Sequence, residues 1–152
     1  MKFLKFILTV CTYFILFIKT KVRLKNEFNL EISHYGLEPK LLPHLLHLVQ
    51  RTVFREAESF AIYGNGEHTR RIIILNKLPL HKLTVIFDDS PKVENTYGIP
   101  VSHPNYADEY NFDLLIISSD SYETSMFERA KNWCPKGKNL ATIYSHKQLR
   151  LS

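Results

Sequence analysis

From Ser59 onward, apolar and polar positions fall into short blocks of two kinds. Phe60-Ala61-Ile62-Tyr63, Leu83 to Phe87 and Leu114-Leu115-Ile116-Ile117 are continuous apolar runs. Such runs are too apolar for a strand with one wet face and fit parallel strands covered on both sides. The helix that follows Gly66 is expected to bury Ile72, Ile73, Ile74 and Leu75 and to end at Asn76-Lys77-Leu78-Pro79, with proline as the stop. Ser121 to Trp133 predicts a second helix with Met126, Phe127 and Ala130 inward. Gly98 to Val101 reads as a short third strand, Phe112 to Ser118 as the fourth and Leu140 to Tyr144 as the fifth. Ser102 to Asn111 is too short for a full crossover helix. Earlier, Leu41, Leu42, Leu45, Leu46, Val49, Val53 and Phe54 recur at spacings of three and four, predicting an amphipathic helix within Leu37–Glu58.

The front of the chain has no such alternation. Phe6 to Ile18 is an apolar-to-neutral run, with Lys2 and Lys5 before it and Lys19, Lys21, Arg23 and Lys25 after it. It is short of the ~20 residues that span a bilayer comfortably, but flanking residues and snorkelling lysines bring it to marginal length. No small-residue cleavage site follows, which argues against a signal peptide. A buried core helix competes, yet a helix apolar all round needs burial on every side. A membrane-associated helix, spanning or re-entrant, is the expectation. The heavier positive flank then keeps the main domain cytoplasmic. The organisation expected is an apolar helix with basic flank over 1–25, a connector and amphipathic helix over 26–58, and a folded domain over 59–152.

Charge sharpens this division. Residues 1–55 carry nine Lys and Arg against three Asp and Glu, and residues 56–152 carry eleven against twelve. The net +5 therefore belongs to the front third. A nucleic-acid binder concentrates positive charge on its folded domain, so nucleic acid is not an expected partner. Cys11 and Cys134 stand apart without metal-ligand spacing and read as unpaired thiols. His44 and His47, three apart on one helix, lack a third ligand, so no metal is expected.

Chemistry concentrates where the first strand meets the first helix of the folded domain. Gly64 and Gly66 permit a sharp turn and a close approach of ligand to backbone. The helix that follows aims free N–H groups at a phosphate or carboxylate. Candidate contacts are Gly64, Asn65, Gly66, Glu67, His68 and Thr69. Glu67 also complements the helix dipole, and His68 offers a hydrogen-bond donor or an acid–base group. Thr69 stands where a third glycine or alanine is expected in dinucleotide folds; it either bonds a ligand or packs, holding helix and strand further apart. Arg70 and Arg71 either neutralise phosphate or form a solvated helix face. Asp88, two dozen residues past Gly64, falls near where a carboxylate grips ribose, and Asp89 reads more as a turn residue. Ser118 and Ser119 end a strand beside the same crevice.

Strands alternating with helices predict an α/β fold, a small Rossmann-like open parallel sheet of about five strands, preceded by the amphipathic and apolar helices. Tyr63-Gly64-Asn65-Gly66-Glu67-His68-Thr69, Phe87-Asp88-Asp89-Ser90-Pro91, Gly98-Ile99-Pro100-Val101 and Asp113 to Ser119 occur in that order. Together they resemble the Rossmann-like domain attached to sugar C-methyltransferases. They are also similar to the nucleotide-sugar-binding domain in front of sugar O- and N-acetyltransferases. The likeness covers about Ser59 to Tyr144. It implies a nucleotide-sugar ligand and a partner enzyme, because in those relatives the domain accompanies a separate catalytic domain; NAD and S-adenosylmethionine stay open as ligands, since their folds also use a glycine turn and an acid after the second strand.

Several enzyme classes lack their residues here. No tyrosine has the lysine four residues later that short-chain dehydrogenases and epimerases use. Pro135-Lys136-Gly137-Lys138 is not a Walker loop, and no Gly-x-Ser-x-Gly elbow occurs. The expectation is a membrane-associated module binding a nucleotide or nucleotide-sugar, in surface-glycan synthesis. A small or fragmentary sugar-modifying or S-adenosylmethionine-dependent enzyme, and a scaffold with a vestigial site, are the alternatives.

Overall fold

A computed structural model describes residues 41–152. The apolar runs become the centre of one sheet: β1 (Phe60–Tyr63), β2 (Leu83–Phe87) and β5 (Leu114–Ile117). Every residue of β1 and β5 is buried, as continuous apolar strands between two helical layers must be. β4 (Ile99–Ser102) pairs in parallel with β2, and β6 (Asn139–Thr142) in parallel with β5. β3 (Asn95–Thr96) and β7 (Gln148–Arg150) add antiparallel edges to β4 and β6. The order is β3-β4-β2-β1-β5-β6-β7.

The fold is therefore α/β with a mixed seven-stranded sheet whose inner five strands are parallel. This corrects the expected all-parallel sheet of about five. Both extra strands are short and carry no apolar alternation. β3 folds back through Tyr97 (φ 52°) and Gly98 (φ 78°), a pair of positive-φ residues of the kind that closes a tight hairpin. β7 is exposed at all three residues and pairs with β6, with Lys147 and Leu151 on either side bonded to Thr142 and to Gly137 and Lys138.

Helices cover both faces. α1 (Leu41–Gln50), α2 (Thr52–Glu56) and α3 (Glu67–Leu75) share one core with Phe60, Ile62, Ile86, Leu114 and Ile116. Leu41, Leu45 and Leu48 form the buried stripe of α1. Burying each such leucine fully contributes about 1.5–3 kcal/mol. The single amphipathic helix expected over Leu37–Glu58 is broken within the described residues, because Arg51 is extended (φ −68°, ψ 142°) between α1 and α2. Its guanidinium donates instead to Thr142 O at 2.9 Å. On the other face, α4 (Glu123–Trp133) and the 3-10 segment Pro104–Glu109 pack on Ala61, Tyr63, Val85, Phe87 and Leu115.

The expectation of a transmembrane helix is withdrawn, since among the described residues no helix is long and apolar enough to cross a membrane. The run Phe6–Ile18 that prompted it, with the rest of the expected N-terminal helix and Cys11, lies outside the described residues.

Cys134 is buried in the α4 core, and burial pushes its thiol up to about 12. Thiolate is the reactive form. Peptide mapping after iodoacetamide treatment at pH 8 should find Cys134 unmodified in native protein and modified in denaturant; rapid native labelling would contradict this burial.

The parallel connections run outward in opposite directions from the β1–β5 pair. Chain order leads from β1 through β2 to β4 on one side, and from β5 to β6 on the other. In open α/β sheets such a reversal leaves a crevice at the carboxyl ends of the strands.

Candidate functional site

The glycine turn sits at that crevice, and its shape is fixed by three strands. Gly64 has φ +109°, and a Cβ there would lie 2.8 Å from Ser118 O. Its N–H donates to Phe87 O at 2.7 Å, so the turn is fastened to β2 and pressed against the end of β5. Only glycine satisfies both the positive φ and the close approach. Gly66 differs: its φ of −86° and ψ of −171° are ordinary extended backbone, and an added Cβ would meet nothing within 4 Å. It caps α3 without a side-chain hydrogen bond. The first-turn N–H groups of α3 thus have no side-chain cap, and that end of the helix is suited to an anion.

Asp88 closes the turn. Its Oδ2 accepts from Asn65 N–H and its Oδ1 from Ser90 N–H, both at 2.9 Å. Its own N–H donates to Ser102 O at 3.0 Å. Each carboxylate oxygen retains a second lone-pair site, so Asp88 can still accept a ligand hydroxyl. Asn65 Oδ1 accepts from the Thr96 hydroxyl at 2.9 Å, which ties the turn to β3. Asp89 points to the other side, accepting from Tyr63 OH and from Arg129, each at 2.6 Å. Burial and the neighbouring Asp89 carboxylate raise the Tyr63 hydroxyl far above its usual range, so it remains a donor.

Beneath the turn runs a chain of hydrogen bonds with a single direction. Gly64 O can only accept, and Thr69 Oγ1 lies 2.5 Å from it, so Thr69 donates there. Thr69 Oγ1 then accepts from Ser118 Oγ at 2.6 Å. With its proton committed, Ser118 Oγ accepts from His68 Nδ1 at 2.9 Å. In the neutral ring His68 Nε2 is then the acceptor of a hydrogen bond from the Tyr144 hydroxyl at 2.8 Å. His68 so arranged does not draw a proton from Ser118, which argues against a Ser–His nucleophilic pair.

Tyr144 is placed by a buried carboxylate. Glu123, 6 % exposed, accepts from the backbone N–H groups of Ile143, Tyr144 and Ser145 at 2.5, 2.9 and 2.8 Å. The same loop brings His146 (φ 55°) against His44 and His47, with ring centroids 5.1 and 4.4 Å away. Local desolvation, then the charges of His47, Arg51 and His44, lowers the pKa of the exposed His146. Among the described residues no group of three His, Cys, Asp or Glu is arranged to hold a metal.

The cleft above the turn has a volume of about 420 Å³. Gly64, Asn65, Gly66, Glu67, His68, Asp88, Asp89, Ser118 and Ser119 line it. Thr69 does not; it is fully buried below, tying Gly64 O to the Ser118 hydroxyl. Ser119 Oγ also accepts from Tyr122 N–H at 2.8 Å, at the start of α4. Asp120, which follows Ser118 and Ser119 at the end of β5, lines the cleft too, and so do Tyr63, Met126 and Arg129, which the sequence did not single out; nor did it single out Glu123, which holds the 143–145 backbone. Arg71, read in sequence as either a phosphate contact or a solvated face, lines the cleft as well. Its Nε is 3.6 Å from Glu67 Oε1, an ion pair too long for a hydrogen bond, so that buried Nε–H makes no hydrogen bond among the described residues.

No protein-family model matches the chain, and no curated protein is significantly similar to it in sequence.

Proposed function

We propose that this protein is a Rossmann-like binding module for a nucleotide or nucleotide-sugar, working beside a partner enzyme of sugar modification. The observation that carries the reading is the glycine turn itself. Gly64 is forced against Ser118 O at the β1–β5 reversal, and an uncapped helix start and the ribose-competent Asp88 face one cleft of about 420 Å³. That volume lies within the usual range for small-molecule sites. The sugar and partner components rest on the resemblance of Tyr63–Thr69 and Phe87–Pro91 to the domains attached to sugar-modifying transferases. The binding reading is preferred over catalysis because His68, Ser118 and Thr69 spend their hydrogen bonds on holding the turn.

A thermal-shift panel of NAD, S-adenosylmethionine, coenzyme A and UDP-, GDP- and dTDP-glucose tests the proposal. A ligand held at a hundredfold its dissociation constant stabilises by about 2.7 kcal/mol. For a domain of this size that raises Tm by roughly 10 °C or more. Were no compound in the panel to move Tm, the nucleotide reading would be wrong.

A further inference from the structure

A second hollow of about 360 Å³ adjoins the main cleft and shares Asn65, Gly66, Asp88 and Ser90 with it. The two differ in how their charges are used. In the main cleft each arginine already answers an acid, Arg129 to Asp89 at 2.6 Å and Arg71 to Glu67 at 3.6 Å. Asp120 adds further negative charge there, while Asp88 borders both hollows. The second hollow is lined by Arg70 and Lys92, neither of which makes an ion pair or side-chain hydrogen bond among the described residues. Its one acid, Asp88, has both oxygens turned to backbone N–H groups. An anion entering the main cleft displaces existing pairs, whereas one entering the second hollow meets two unanswered cations.

We infer that the phosphate of the ligand seats in the second hollow between Arg70 and Lys92, with the ligand crossing over Gly66 and its hydroxyl-bearing part in the main cleft. The placement rests on the nucleotide reading and assigns the ligand a class, a phosphate ester or diphosphate, and a direction. Gly66 supplies the passage, since the space where its side chain would stand is open. That open space also yields a clean variant. Serine at Gly66 is a favourable helix cap at an unstrained φ, so Gly66→Ser should fold at least as stably as the parent while obstructing the crossing.

The full chain, Gly66→Ser, and the double variant Arg70→Gln/Lys92→Gln are titrated calorimetrically with NAD, coenzyme A, UDP-glucose and S-adenosylmethionine. Both variants should keep the parental Tm without ligand and lose more than tenfold in affinity for the phosphate-bearing compounds, with Arg71→Gln losing less. If a phosphate-bearing compound binds the parent and the Arg70/Lys92 variant equally, the placement is overturned and the nucleotide reading stands. The placement is overturned in the same way if only S-adenosylmethionine, which has no phosphate, binds. If none of the four binds, the nucleotide reading falls and takes the placement with it.

Discussion

Gly64→Ala should destabilise the domain by about 3–5 kcal/mol, as measured by urea unfolding with an unchanged m-value. Two costs combine. A side chain at φ +109° sits where L-residues are strained by roughly 1–3 kcal/mol. The new methyl also falls 2.8 Å from Ser118 O and 3.1 Å from Met126 Cε. Met126 has a flexible end and can yield. Ser118 O is backbone just after β5, on the residue whose hydroxyl meets Thr69 and His68, so relief there moves several groups together. Overpacking of this kind typically adds about 1–3 kcal/mol. Gly66→Ala is the internal contrast, because its Cβ meets nothing and its φ is ordinary. It should cost about 1 kcal/mol at most, through a poorer helix cap. A Gly64→Ala protein within 1 kcal/mol of the parent would show that the turn is not pressed against Ser118.

Glu123→Ala should cost a similar amount, about 3–5 kcal/mol, by a different route. The carboxylate is buried and accepts three successive backbone N–H groups after β6. Truncation leaves those donors unanswered, at about 1–3 kcal/mol for each that water cannot reach. The Arg51 guanidinium, anchored on Thr142 O, also loses the negative partner that offsets its own burial. Glu123→Gln keeps the shape and one acceptor oxygen, so it should recover part of the loss. A local readout separates this from a general loss of packing: Ile143, Tyr144 and Ser145 amides should exchange with deuterium faster than the amides of β1. Uniform exchange across the sheet would argue against a local anchor.

Both predictions concern residues whose roles differed in legibility. Gly64 was readable because a glycine between an apolar strand and a helix has few other uses. The place of Asp88 just after β2 was legible from the apolar run before it, yet its bonds to Asn65 and Ser90 could not be seen without the turn in three dimensions. Glu123 gave no signal, since an acid in the first turn of a helix ordinarily complements the dipole in solvent. Arg129 was equally silent: it meets Asp89 across forty residues, through a packing of α4 on the sheet that periodicity does not specify. The central strands were legible because burial on both faces leaves an unmistakable apolar run. The outer two were not, because β3 has two residues and β7 only three, all exposed.

Those outer strands have a consequence for how the protein behaves among its copies. A bare sheet edge is a template on which another chain can add a strand. Here one border is a two-residue hairpin arm and the other a three-residue strand, with Leu149 at its centre, flanked by Lys147 and ending at Arg150. Neither offers a long, flat, apolar ladder. Among the described residues the parallel strands, which as a free margin would be strongly adhesive, are bordered by one uncharged two-residue strand and one short strand ending at Arg150, and brevity is what blunts both edges.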